Sequence, residues 1–342
     1  MVWQRSILKS NAKVSLRGQY GVSFGVSILR SLISGAASFL LLLILMLLAP
    51  SALNECLQAL FYAAQDRSTL LTQSLLVPLS RLLLLTVAAA VCTLFLKSAV
   101  TVGSARFFLH KRFGDTHVST LFTGFQQRWV HTVGVLFVTG LIAGIWEVLG
   151  NAISRSLQRQ QVPALDIVAS IIAIAGLVAT IYFEIRYSYV DFLLADNPNL
   201  GNGRARTISN LLTQGEKGRV FLFYLSFIGW YLLAALASVI ILTCTIMHAL
   251  YGSLSGMMDP YTSYMPYLQI LSSLASVLPA LLFCVLLEWV LFSLILPYVQ
   301  SARAELYIFV RDRALNAGLL NPAELNLPVP APQAPPQQPP VC

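Results

Sequence analysis

The sequence predicts an all-α polytopic transmembrane helical bundle of about six spans, with amphipathic helices lying in the cytoplasmic interface. Three observations predict it. Of the 342 residues 57% are hydrophobic and only 11% charged, against about 45–50% and about 25% in soluble globular chains. The apolar residues are gathered into long blocks instead of being scattered at helix or strand period. Lys and Arg collect in alternate connections between those blocks.

A hydrocarbon core about 30 Å thick needs about 20 apolar helical residues. Six blocks meet that length, approximately 27–48, 82–102, 130–149, 165–183, 221–247 and 270–296. Helix is required in each, because every backbone polar group must be satisfied within lipid. The second block carries Arg81 at one end and Lys97 near the other, and both can snorkel to the interface.

Residues 1–26 read as a cytoplasmic amphipathic helix, in which Ile7, Leu8, Ala12, Val14 and Leu16 are interleaved with Lys9, Lys13 and Arg17. Leu121, Phe122 and Phe125, ahead of Arg128, predict a second such helix. Ala205, Ile208, Leu211 and Leu212 predict a third, opened by the turn Asp196-Asn197-Pro198. Each stretch holds a glycine (Gly18, Gly124, Gly215) and precedes a span and its return, the layout of a triple repeat of helical hairpins. Residues 299–320 read as a further cytoplasmic helix. The stretch 321–342 holds eight prolines with Gln and Ala and almost no charge. Such a segment takes extended polyproline conformations and builds no core, so it reads as a disordered tail.

Counting basic residues sets the orientation. Arg5, Lys9, Lys13 and Arg17 precede the first span; Lys97, Arg106, Lys111, Arg112 and Arg128 lie around the second connection. Arg186, Arg204, Arg206, Lys217 and Arg219 follow the fourth span, and Arg303, Arg311 and Arg313 follow the sixth. The opposite side holds only Arg67, Arg81, Arg155 and Arg159. The basic side is therefore expected in the cytoplasm, together with both termini, and to touch anionic headgroups of the bilayer.

Several function classes find no support. The net charge of +8 is spread over connections and forms no basic stripe with interleaved aromatics, so nucleic acid is not an expected partner. The five cysteines include no CxxC; Cys92, Cys244 and Cys284 fall inside apolar blocks, where cysteine behaves as a small hydrophobe. The first apolar block starts late, runs long and lacks a small-residue cleavage site, unlike a signal peptide. His110, His117 and His131 have no cysteine or carboxylate at ligand spacing, which argues against a metal. Gly201-Asn202-Gly203 lacks the third glycine and the strand of a dinucleotide fingerprint. No GxSxG, HExxH or P-loop occurs. The chain reads as a non-enzyme with no cofactor.

Two groups of polar residues stand out as candidate sites. Arg30 falls near the cytoplasmic end of the first span, and Glu288 lies nine residues before Pro297, about 13 Å inside the same end of the last one. An intramembrane carboxylate normally faces the bundle interior with a partner, so an Arg30–Glu288 ion pair is expected to tie the two spans or line a polar cavity. The alternative is that Arg30 snorkels and Glu288 is protonated or bonded to a neighbour. After the fourth span, Arg186, Asp191 and Asp196 form a candidate cytoplasmic turn network, with Asp196 also explicable as turn initiator and helix cap. Glu147 and Glu184 fall at span ends and read as interfacial. The outer connection around Tyr251, Met257, Met258, Asp259, Tyr261, Tyr264 and Tyr267 reads as an aromatic belt.

Three stretches carry a family resemblance. The opening RSILKSNAKVSLRGQYGVSFGVSIL (Arg5 to Leu29) is a basic amphipathic helix running through Leu-basic-Gly into the first span. YSYVDFLLADNPNLGNGRARTISNLLTQGEKGRVFLFYLSFIGW (Tyr187 to Trp230) joins a Leu-Ala-Asp-Asn-Pro turn, a short helix, Gly-x-Lys and a span marked by Ser-Phe-Ile-Gly-Trp. LPYVQSARAELY (Leu296 to Tyr307) is a Pro-Tyr exit into an aromatic-bearing helix. Together they resemble the bacterial integral membrane family catalogued as domain of unknown function 975. TIYFEIRYSYV departs from the family's Ile-Pro-Gly-type turn after the fourth span, and the Pro-rich tail is additional. The resemblance implies a bacterial inner membrane and a multi-pass helical fold, and it implies no reaction. The expected function is a non-enzymatic partner- or lipid-binding component of the bacterial cell membrane; the alternative is a transporter of a small solute or lipid using a polar site near Arg30 and Glu288.

Overall fold

A computed structural model of the chain describes residues 4–48, 73–112, 114, 117–126, 128–160, 162–257 and 266–327. It contains α1 (Arg5–Leu16), α2 (Tyr20–Leu48), α3 (Gln73–Lys111), α4 (Trp129–Gln158), α5 (Pro163–Arg186), α6 (Val190–Asp196), α7 (Asn202–Thr213), α8 (Lys217–Leu225), α9 (Ile228–Met257) and α10 (Pro266–Asn316), with 3-10 turns at Val118–Phe125 and Pro322–Leu325. No strand occurs among the described residues. Among the described residues five stretches are long and apolar enough to cross a membrane: Ala90–Lys111, Trp129–Gln158, Pro163–Asp196, Lys217–Met247 and Phe283–Asn316. The expected first span, 27–48, falls within the 29-residue α2.

The surface of these helices shows what solvent they fit. In α5, Ile167, Ile171, Ile174 and Val178 are all exposed, at the spacing of one helical face. In α9, Leu232, Leu233, Leu236, Val239 and Ile240 are exposed likewise. Apolar bands this continuous are foreign to a water-facing monomer. They are ordinary for helices bathed in hydrocarbon.

The chain divides into two compact units, residues 29–217 with 304–342 and residues 1–28 with 218–303. In the first unit α4 and α5 form a hairpin whose crossing is set by glycine. A Cβ on Gly176 would stand 2.7 Å from the Trp146 carbonyl oxygen, and one on Gly150 would stand 3.1 Å from the Gly176 Cα. Trp146 and Phe183 stack beside that crossing, ring centroids 5.6 Å apart. Glu147 and Glu184, the next residues along, are exposed.

The same unit corrects one expectation. Residues 118–125 form a 3-10 turn and not an amphipathic α-helix. The turn lies backbone-to-backbone on α3: a Cβ on Gly103 would be 1.8 Å from the Leu121 carbonyl oxygen, and one on Gly124 would be 2.0 Å from the Ala99 carbonyl oxygen. Contact this close requires a residue without a side chain on both surfaces.

In the second unit α1 buries Leu8, Ala12 and Leu16, and an aromatic chain runs from Phe223 through Phe227 to Tyr298, with centroid spacings of 5.2 and 5.5 Å. Here the expected fifth span, 221–247, is interrupted: α8 stops at Leu225 and α9 begins at Ile228. The last span, in contrast, does not stop at Pro297. The stretches read as a span over 270–296 and a separate helix over 299–320 are one helix, α10, of 51 residues. A proline removes one ladder hydrogen bond, here the one to the Ser293 carbonyl four residues back. The Tyr20 hydroxyl donates to the next carbonyl along, that of Leu294.

The repeat is visible in two of its three members. After α1, Gly18 has φ +78°, and after α7, Gly215 has φ +77°. In both corners the residue before the glycine and the residue after it donate backbone bonds three positions back: Arg17 to Val14 and Gln19 to Leu16, Gln214 to Leu211 and Glu216 to Thr213. The middle member instead turns on Arg128, a non-glycine at φ +54° immediately before α4. At the other end, residues 321–327, expected as the start of the disordered tail, are ordered. Leu325 is buried and Asn321 caps the turn Pro322–Leu325 by accepting from the Ala323 N–H. The remainder, 328–342, lies outside the described residues, as do Met258, Asp259, Tyr261 and Tyr264 of the outer connection.

Overpacking of a tight contact costs about 1–3 kcal/mol and sometimes more. Gly103→Ala and Gly124→Ala should each lower the thermal unfolding midpoint in detergent well below wild type. Gly134→Ala, where an added Cβ meets nothing within 4 Å, should leave it unchanged; equal midpoints for all three would refute the backbone contact.

Candidate functional site

The break in the fifth span is where α1 engages the bundle. When a helix stops, its last carbonyls lose their partners. At Ser226 the freed carbonyl accepts from Lys9 Nζ at 3.2 Å. The same ammonium sits 4.4 Å from the centroid of the Phe227 ring, the next residue in the break. One turn along α1, Lys13 Nζ lies 5.8 Å from the Tyr298 ring. The Lys9 ammonium is held below the usual lysine pKa, first by partial burial and then by the neighbouring charges of Arg5 and Lys13.

The outer surface of α1 has a different character. Ile7 and Val14, seven residues apart and so on one side of the helix, are 53% and 64% exposed. Arg5, Lys13 and Arg17 are exposed as well. Exposed aliphatic side chains beside exposed basic ones are the pattern of a helix that lies in a membrane interface.

The other unit holds a buried polar centre around Asp196. Its carboxylate Oδ2 accepts from the Tyr307 hydroxyl at 2.6 Å and from Arg311 Nη1 at 3.1 Å. Tyr307 is fully buried, stacked on Phe192 with centroids 5.3 Å apart and tilted against Tyr189 at 5.9 Å. The Arg311 guanidinium lies over the Tyr307 ring and also binds Asp312. At the end of α6, Arg106 Nε donates to the Ala195 carbonyl at 3.0 Å. Around this centre the closing part of the chain is pinned by further ion pairs: Glu305 to Arg112 at 2.9 Å, Glu324 to Arg204 at 3.0 Å, and Arg313 to Glu216.

The residues of the expected turn network have separate surroundings. Asp196 bonds Tyr307 and Arg311. Asp191 accepts from the Phe192 N–H through its Oδ1. The Arg186 guanidinium lies over the Phe183 and Tyr187 rings, and its carbonyl accepts from the Ser209 hydroxyl at 3.0 Å. Nor does Asp196 make the turn or cap the helix that follows. Asn197 does the former, its Oδ1 accepting from the Asn199 N–H, and Gly201 stands at the start of α7 without a side-chain cap. Arg30 and Glu288 are each half-buried, on α2 and α10, and belong to different units. Among the described residues no group of three His, Cys, Asp or Glu side chains comes together.

Sequence reasoning missed Tyr307 and Arg311 as partners of Asp196, and Lys9 as the partner of a helix break. The first lies 111 and 115 residues away along the chain, beyond the reach of any periodicity. The second had a signal, Ser226 and Gly229 in close succession within an otherwise apolar block.

Long apolar helices with lipid-compatible surfaces and buried polar centres define a multi-pass helical membrane protein. The chain belongs to the family described as protein of unknown function (DUF975), whose model matches residues 1–314. No curated protein and no solved structure matches it.

The Asp196–Arg311 pair and the Arg204–Glu324 pair should respond very differently to truncation. Side-chain exposure is 10% and 12% in the first pair and 50% and 33% in the second. Asp196→Ala strands a buried cation, for which about 3–5 kcal/mol is expected. Arg204→Ala should cost under about 1 kcal/mol. Denaturant titration of the detergent-solubilised protein measures both, and an Asp196→Ala loss no larger than that of Arg204→Ala would remove Asp196 as the centre of the layer.

Proposed function

We propose that this chain is a non-enzymatic component of a bacterial inner membrane that binds anionic lipid at its cytoplasmic face, with both termini on that side. The observation that carries the reading is α1. It is tied to the broken fifth span through Lys9, its outer face carries Ile7 and Val14, and the basic side chains of Arg5, Lys13 and Arg17 are exposed around it. A helix so fixed cannot leave the surface, and its basic side chains stand where headgroup phosphates lie. The excess of Lys and Arg on alternate connections supports the cytoplasmic assignment.

The test is purification in mild detergent with mass spectrometry of co-purifying lipids and proteins. Each basic residue near an anionic surface contributes about 1 kcal/mol. The double variant Lys13→Ala/Arg17→Ala should therefore retain about thirtyfold less anionic lipid relative to neutral lipid. An unchanged ratio in a folded variant would sink the reading; a stoichiometric protein lost together with α1 charge would replace lipid by a protein partner.

A second reading, transport of a small solute or lipid past Arg30 and Glu288, draws support from two features. Glu288 is a half-buried carboxylate between Leu287 and Trp289 in α10, and the fifth span is discontinuous, as transporter helices often are. If Arg30 and Glu288 pair, Arg30→Glu combined with Glu288→Arg should restore the folded yield lost in either single variant. Flux into vesicles that Glu288→Gln abolishes would favour this reading over the first.

A further inference from the structure

Between α3 and α4 lies a groove of about 430 Å³ lined by Leu94, Lys97, Ser98, Thr101, Leu136, Phe137, Gly140 and Leu141. Its two walls differ in kind. Leu94, Lys97, Ser98 and Thr101 follow one another at helical spacing on α3, so one edge carries an ammonium and the Ser98 hydroxyl, while the Thr101 hydroxyl already donates to the Lys97 carbonyl at 2.7 Å. The α4 wall is entirely apolar. At Gly140 an added Cβ would meet nothing within 4 Å, which leaves the floor of the groove open, in contrast to the backbone-filled contacts at Gly103 and Gly124.

Lys97 is exposed, and among the described residues no carboxylate pairs with it. It lies nine residues before Arg106, or about 14 Å along the helix. Arg106 already belongs to the polar layer through the Ala195 carbonyl. Lys97 therefore stands on the membrane side of that layer, with an apolar trough beside it. The volume falls within the range of about 300–1,000 Å³ that holds small ligands. A cation and a hydroxyl along one edge suit a phosphate, and the leucines and Phe137 suit a hydrocarbon chain.

We infer that this groove is a binding site for one anionic phospholipid, its phosphate on Lys97 and Ser98 and an acyl chain along Leu136, Phe137 and Leu141. The inference rests on the lipid-binding reading above and adds to it a defined site away from α1. Bound there, the lipid would fill the gap that Gly140 leaves between the helices and make them a single packed wall.

The experiment uses the full chain reconstituted in vesicles of phosphatidylglycerol or phosphatidylcholine carrying a photoactivatable acyl chain, with labelled peptides mapped by mass spectrometry. The wild type should label 136–141 more strongly from phosphatidylglycerol. Lys97→Glu should reduce that preference about fivefold or more, with Lys97→Gln as the milder substitute if the first does not fold. Gly140→Phe, filling the floor, should reduce labelling from both lipids while the unfolding midpoint is kept. Equal labelling of 136–141 by the two lipids, or a preference untouched by Lys97 substitution, would overturn the site; so would complete competition by inorganic phosphate alone, which would make free phosphate the ligand. Loss of anionic lipid from the α1 variant with the groove variants unaffected would leave the wider reading standing without this site, and a wild type with no anionic preference anywhere would remove both.

Discussion

Lipid allows no unpaired backbone group, and at three of the described helix ends a side chain from elsewhere takes up a freed carbonyl. Lys9 serves Ser226, Arg106 serves Ala195 and Ser209 serves Arg186. An unsatisfied group of this kind in hydrocarbon costs several kcal/mol, so each donor is a condition for the break it serves. The short helices at the basic end follow from this constraint. They end where a donor is available and lie with their apolar faces inward, which gives α6 and α7 buried rows such as Phe192, Leu193, Leu194, Ala205, Ile208 and Leu212.

The polar centre at Asp196 has the same logic in charged form. A carboxylate can be buried when hydrogen bonds and an opposite charge replace its water. Tyr307 and Arg311 do so from a single helix, one turn apart on α10, so one carboxylate fixes both the position and the rotation of that helix's closing segment. Phe192 and Tyr189 against the Tyr307 ring exclude water from the pair. The ion pairs of Glu305 and Glu324 then add register more than energy, since each has a partner that is half exposed.

Much of this was legible in the sequence, for physical reasons that can be named. Apolar blocks of span length and the alternation of basic connections arise from bulk properties of a bilayer, which act on composition. The helices α1 and α7 were legible because each buries one face at helical spacing. The 3-10 turn at Val118–Phe125 was not, because its conformation comes from Gly103 on another element, and periodicity within the segment carries no record of that contact. The continuation of α10 through Pro297 was hidden too, because a proline after an apolar run is the ordinary signal of a helix end. Among the candidate residues Asp196 was singled out, but with Arg186 and Asp191 as its expected neighbours in place of Tyr307 and Arg311. A buried carboxylate declares itself by type and place, whereas its countercharge can come from anywhere in the chain.

The bond between Lys9 and Ser226 spans 217 residues of sequence. In synthesis α1 emerges before the fifth span, so this bond can close only once that span has been made. Assembly of this unit is thus a late event: an amphipathic helix made early waits for the span whose broken end receives it.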